Sequence, residues 1–309
     1  MKKLIALLAA LLLMCGCSAG TDERSEPKKL SVVVTIFPAY DFARQVFGDT
    51  AEVTMLLKPG TESHTYDPTA RDIIKIDNCD LFIYNGGESD SWVEGILGAA
   101  EDVRTLRMMD AVEVVEEERS EGMEEETHEH EESDETEYDE HIWTSPKNAA
   151  DIVESIRLAA CEISPRNSAL YDKAAEEYIT EINALDNDFT ELFADESRYF
   201  IFGDRFPLLY FFREYRLNYY AAFPGCGSET EPSARTISFL LDKLDENSVQ
   251  AVFYIELSNH KLADTLAEEK GLTTEEFHTC HNITAEDLDA GETYVSLMRR
   301  NYEALTRVL

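Results

Sequence analysis

The residues of this 309-residue chain best suited to chemistry are its seven histidines, and four of them fall where they could share a ligand. His64 sits in the turn-rich stretch KPGTESHTYDPT, shortly after an apolar, β-branched run. His141 follows directly on a dense acidic segment, and His278 and His281 flank Cys280 in HTCHN. Neutral imidazole is a ready ligand for zinc and its neighbours in the first transition series. Any one of these histidines alone reads equally well as a surface residue; the set points to metal binding. His260 belongs to a helix rich in charge and reads as simply exposed.

Two further histidines, His128 and His130, lie within residues 116–140, a run with fifteen Asp/Glu, one Arg and almost nothing apolar. Such a segment cannot bury enough surface to fold alone. An anionic, imidazole-bearing loop that ends on His141 has the composition of a metal collector, with weak sites at His128 and His130. The plain alternative is a solvated acidic linker. The formal net charge is −36, and the fifteen acids less one Arg account for 14 of it. A surface this acidic repels nucleic acid and attracts cations, so nucleic-acid binding is set aside.

The N-terminus has the form of a targeting segment. Lys2 and Lys3 precede an apolar run, residues 4–14, too short to span a bilayer. Met14-Cys15-Gly16-Cys17 then resembles a bacterial lipoprotein processing site, with Cys17 the expected lipidated residue because Gly16 precedes it, and Cys15 the alternative. Residues 1–17 are therefore expected to be a signal peptide and 18–29 a tether, leaving a soluble, monomeric body anchored by lipid to the membrane outside the cytoplasm. The other cysteines show no CxxC spacing. Cys226 and Cys280 each follow a predicted strand and are the candidates for a disulfide. Cys79 and Cys161 read as small buried residues.

These side chains need a scaffold, and the apolar pattern supplies one. SVVVTIF, residues 31–37, reads as a strand buried on both faces, as in a parallel sheet. Strands at 51–57, 80–84 and 103–109 alternate with helices at 38–47, 69–78 and 90–100, which argues a doubly wound α/β lobe. After the acidic loop, Ser145-Pro146 and Ser164-Pro165 each give a helix start, a capping residue followed by proline. The second helix carries an apolar stripe through Leu170, Ala174, Tyr178, Ile182, Leu185, Phe189 and Leu192. At 1.5 Å per residue it is roughly 40 Å long, enough to link two lobes. A second alternating set follows, with strands at 199–203, 217–223, 249–256 and 275–280. The expected organisation is an N-terminal α/β lobe at 30–163, a linking helix at 164–195 and a C-terminal α/β lobe at 196–309. Ligands of such sheets bind beyond the carboxyl ends of the strands, where the four histidines fall.

The sequence resembles the zinc- and manganese-binding lipoproteins of bacterial metal-uptake ABC transporters. The resemblance runs through VVVTIFPAYDFARQVFGD, PGTESHTYDPTARDI, CDLFIYNGGESDSWVEGIL, DEHIWTSPKNA and YVSLMRRNYEAL. It implies two Rossmann-like lobes joined by a rigid helix, with the metal in the cleft and His64 and His141 as ligands. The acidic, His-containing loop resembles the zinc members, so it implies Zn2+ as the transported ion and an ABC permease as partner. The family's third ligand, usually histidine, aligns with Arg205 beside Asp204, and arginine cannot ligate. The fourth falls near HTCHNIT. The implied set is thus His64, His141 and one or both of His281 and His278, completed by Glu62, Asp204 or water. Arg205 is then expected to pair with Glu229 or Glu231 and line the cleft wall. Three imidazoles would also suit a catalytic zinc with an open position. No HExxH-type helix or motif-placed base accompanies them, so a binding protein is expected rather than a zinc hydrolase.

Overall fold

The apolar runs do form strands, and every ladder between them is parallel. The computed structural model describes residues 28–61, 66–98, 103–124, 137–194, 198–225 and 231–309. Glu62, His64, His128, His130, Cys17, Cys226 and Glu229 lie outside them. In the first lobe β1 (Leu30–Val34), β2 (Ala51–Met55), β3 (Leu81–Tyr84) and β4 (Thr105–Arg107) are ordered β2-β1-β3-β4. Between them run α1 (Phe37–Phe47), α2 (Ala70–Asp77) and α3 (Trp92–Leu97). In the second lobe β5 (Tyr199–Phe206), β6 (Asn218–Pro224), β7 (Ala251–Ile255) and β8 (Thr273–Phe277) are ordered β6-β5-β7-β8. Each sheet reverses direction at its first strand, which opens a crevice at the carboxyl ends of β1 and β5.

One long helix joins the lobes, and the helix before it, α4 (Pro146–Ile163), packs against it and against α1. α4 begins as expected, with Ser145 Oγ accepting from Asn148 N and Pro146 in the first turn. α5 (Ser168–Leu192) is 25 residues long, about 38 Å at helical rise. Its buried face is Tyr171, Ala175, Tyr178, Ile182, Leu185 and Phe189. The stripe therefore starts on Tyr171 and Ala175; Leu170 is exposed. Tyr178 donates to Asp41 on α1, which also accepts from Tyr294 N at 2.9 Å. One continuous apolar core runs from Val34 and Phe42 through Ile156, Tyr178 and Phe189 to Phe211 and Phe277.

In the second lobe α6 (Leu209–Glu214), α7 (Ala234–Glu246), α8 (Lys261–Lys270), α9 (Ala285–Ala290) and α10 (Tyr294–Val308) follow. β5 runs on past residue 203 through Phe206, so Asp204 and Arg205 lie in the strand. The Asp204 carboxylate explains this: it accepts from Arg205 N at 2.8 Å and from Ile255 N at 3.3 Å, filling in where the ladder register shifts.

The root of the acidic loop is ordered. Glu116 and Tyr138 form an antiparallel bridge, and Asp139 N donates to Val115 O at 3.0 Å. The segment then crosses to the second lobe. Glu124 N donates to Ala222 O at 2.9 Å and Gly122 O accepts from Thr236 Oγ1 at 3.1 Å. The Glu124 carboxylate accepts from Ser233 N at the start of α7, where the helix dipole favours an anion.

Candidate metal centre

His141 is fully buried and held from both lobes. Asp139 Oδ1 accepts from His141 N at 2.8 Å and lies 3.2 Å from its Nδ1. With the ring proton on Nδ1, that contact is the usual carboxylate–histidine arrangement, in which Nε2 is the nitrogen offered to a metal. Asp139 is itself fixed by Tyr210 of α6, whose hydroxyl donates to Asp139 O at 2.7 Å and accepts from Val115 N at 3.1 Å. Burial works to lower the His141 pKa, but the charge and hydrogen bond of Asp139, with Glu140, outweigh it and raise the pKa. Gly225 closes against this ring: a Cβ there would sit 3.3 Å from His141 Cε1 and 3.1 Å from Pro207 Cα. A side chain there would press on both by a few tenths of an ångström.

His281 comes from the loop after β8. Cys280 is held at φ 62°, uncommon for a non-glycine residue. Glu256, at the end of β7, anchors the turn. Its carboxylate accepts from Thr279 N at 2.7 Å, Thr279 Oγ1 at 2.6 Å and His281 N at 3.2 Å. Trp143 Nε1 donates to Thr279 O at 2.9 Å, tying this loop to the segment after His141. Asn282 reaches back to the first lobe, donating to Lys58 O at 3.0 Å and to Thr61 O. Gly60 N adds a bond to Ile283 O at 2.8 Å. The turn that leads towards residue 64 is thus fastened to the loop that carries His281.

The His141 and His281 rings lie 5.3 Å apart between centroids, nearly perpendicular. A zinc–nitrogen bond of about 2.0 Å puts each ring centroid about 3.2 Å from the ion, so two imidazoles on a tetrahedral zinc stand about 5.2 Å apart. The observed spacing matches. Trp143 packs 5.0 Å from His281 and 5.7 Å from His141, an apolar wall beside the pair. A cavity of about 30 Å³ lies between His141, His281, Glu256, Arg205, Thr61 and Asn282. Among the described residues no three His, Cys, Asp or Glu side chains converge as a complete cage.

The other expected ligands lie elsewhere or outside the described residues. His278 is buried, but its Nδ1 accepts from Cys280 N at 2.9 Å and it does not line this cavity. Its backbone is clamped by Asn301, at 2.7 Å in both directions. Asp204 also lines a different cavity, its oxygens taken by Arg205 N and Ile255 N, with burial pushing its pKa up. Arg205 does stand on the wall of the histidine cavity, and Glu231 shares a neighbouring cavity with it. Cys280 is a buried free thiol whose pKa burial raises, and its expected partner Cys226 lies outside the described residues. No motif or spacing in the sequence marks Asp139, Asn282 or Tyr210. Only Glu256 had a visible signal, a carboxylate closing the apolar strand AVFYIE.

Two parallel α/β lobes, a helix along both and one imidazole from each at the cleft define a two-lobed binding protein with a metal-type pocket. Comparison with known proteins places it further. The chain belongs to the ZnuA family, described as zinc-uptake complex component A, periplasmic, whose model matches residues 32–308. It is 32% identical over 307 residues to the zinc-binding lipoprotein AdcA of Streptococcus pneumoniae, covering 99% of this chain and 60% of that protein. The chain therefore spans about three-fifths of that relative's length. It is also 32% identical over 311 residues to the high-affinity zinc uptake system protein ZnuA of Bacillus subtilis, covering 98% of this chain and 95% of that one. The Zn(II)-bound ZnuA-like domain of S. pneumoniae AdcA superposes with a TM-score of 0.75 at 29% identity, over 91% of this chain and 98% of that domain.

Proposed function

We propose that this chain captures Zn2+ outside the cytoplasm and delivers it to an ABC-type metal permease, without catalysing a reaction. The observation that carries this reading is the His141–His281 pair, one imidazole from each lobe at the spacing a tetrahedral zinc requires. The relatives' names, zinc-binding lipoprotein and zinc uptake system protein, support the same ion and role. His64 supplies the third nitrogen, from the segment that follows the clamped turn at Thr61. Glu62 or water completes the tetrahedron. Imidazole-rich sites favour zinc over manganese, which prefers oxygen. Such ligands bind tightly near neutral pH and release on protonation, which suits a carrier. The body is a monomer held on the membrane by lipid at Cys17, and His128 and His130 add weak, peripheral sites.

The test is titration of the purified full chain with Zn2+ and Mn2+ against a chromophoric chelator, alongside peptide and phosphate-ester hydrolysis assays. One tight zinc, weaker manganese and no turnover are expected. Tighter manganese would overturn the choice of ion. Turnover lost on His141→Ala would make the protein an enzyme.

A further inference from the structure

The zinc reading leaves unused two buried carboxylates and a buried amide next to the histidine pair. Asp90 is 7% exposed, Glu140 1% and Asn85 3%. Asn85 Nδ2 donates to Gly86 O at 3.1 Å and Glu140 O at 2.8 Å, so its orientation is fixed. Its Oδ1 is buried with no hydrogen-bond partner. Buried acceptors of this kind rarely stay unpaired unless water or an ion answers them. Asn85, Asp90, Glu140, Ser89 and Tyr66, together with His281, line a cavity of about 10 Å³. That is room for about one water or one bare ion.

This small cavity shares wall residues with two others. On one side His281 also faces the cavity that holds His141. On the other, Asp90 and Glu140 also face a larger cavity of about 360 Å³ at the root of the acidic loop. Its wall adds Glu88, Glu94, Glu117 and Glu137. Arg107 is the basic group there, and Asp110 lies 3.5 Å from it. Three cavities thus lie side by side, each sharing side chains with the next; carboxylates stand on the wall of each, and Thr35, Ile36 and Leu57 complete the wall of the middle one. Gly87, on the wall of the larger cavity, packs against Glu140. It sits at φ 88°, and a Cβ there would come within 2.6 Å of Glu140 Oε2.

We propose that a divalent cation reaches His281 and His141 through this carboxylate-lined passage, pausing in the small cavity at Asn85 Oδ1, Asp90 and Glu140. The proposal rests on the zinc reading but concerns the route and not the final site. Carboxylate and amide oxygens hold zinc more loosely than imidazole does, so a cation would pass from weak to strong donors. Focusing of field between low-dielectric walls would speed its arrival.

The experiment is stopped-flow binding of Zn2+ to the full chain at low salt, comparing Glu117→Gln/Glu137→Gln with Glu268→Gln/Glu269→Gln. The second pair carries the same net charge but sits on α8, away from the passage. The mouth pair is expected to slow association about tenfold, with dissociation slowed in parallel and Kd within threefold. A route affects both directions equally, whereas a ligand mainly changes Kd. Asn85→Asp places a third carboxylate at the pause and is expected to add a slow second phase; should it misfold, the mouth pair still decides. Equal association rates for the mouth and control pairs would overturn the passage. So would a weakened Kd at unchanged association rate. Failure of the native chain to bind zinc would instead overturn the function proposed above.

Discussion

Asn282→Ala is the most informative single substitution. The side chain is 4% exposed and donates two hydrogen bonds across the cleft, to Lys58 O and Thr61 O. Each is worth about 0.5–1.5 kcal/mol net, so the clamp contributes about 1–3 kcal/mol. Among the described residues, alanine leaves the Gly60 N to Ile283 O bond to tie turn and loop. The turn at 58–61 would then be ordered by the metal and not before it. That ordering is subtracted from binding, and 1–3 kcal/mol corresponds to roughly 5- to 150-fold in Kd. The expected result is zinc affinity weakened at least fivefold, measured by chelator competition, with apo stability in urea lowered by clearly less than that free energy, because the released turn regains its freedom in the apo state. Lost apo stability with Kd unchanged within twofold would refute the reasoning, because the clamp would then be structural only.

The two histidines around Cys280 should separate cleanly. His281→Ala is expected to weaken zinc at least a hundredfold, while His278→Ala should change Kd less than fivefold and lower the unfolding midpoint, since His278 Nδ1 accepts from Cys280 N. Isothermal titration and thermal melts read the two effects. Burial pushes Asp90 up to about 6 from its ordinary 3.8. The folded state then binds the proton more tightly than the unfolded one, so stability falls as pH rises through about 4 to 6, by about 3 kcal/mol in all. Asp90→Asn should flatten that slope in urea melts between pH 4 and 7; an unchanged slope would assign it to another group. Replacing residues 125–136 with a Gly-Ser linker should remove weak zinc sites in calorimetry and leave the tight one within threefold. Extending the deletion back to residue 116 should also lower the melting temperature, because Glu124 and Gly122 are fastened to α7 and β6. Loss of the tight site on the shorter deletion would mean that the loop supplies a direct ligand.

Sheets and helices were legible because their signals are local. The buried strand at 31–37, the Ser-Pro start of α4 and the period of α5 each arise from a dozen neighbouring residues. Even there a one-residue rotation separates Leu170, exposed, from Tyr171, buried, since both fit an apolar stripe. His281 ranks ahead of His278 as the candidate in HTCHN, but nothing in the sequence excludes His278. They stand three apart on either side of Cys280, and only its left-handed backbone turns one ring to the cleft and the other inward. Asp204 looked like a ligand beside Arg205 because a strand that continues past a register shift has no mark in the residue pattern. Asp139, Glu256 and Asn282 act through bonds to distant backbone, so no spacing announces them. That Arg205 cannot ligate followed from its chemistry alone, and it stands at the cavity wall.

The unbroken apolar core has a consequence for how the ion leaves. Phe189, Phe211 and Phe277 pack together where the linking helix meets the second lobe, with centroids 5.0 and 5.2 Å apart. Swinging the lobes wide would wet this seam, and exposing even 200 Å² of it costs about 5 kcal/mol. That is a large share of what holds an ordinary domain together. Both halves should melt in one calorimetric transition, and a bound ion would leave by small rearrangements of the loops at the rim while the body stays shut.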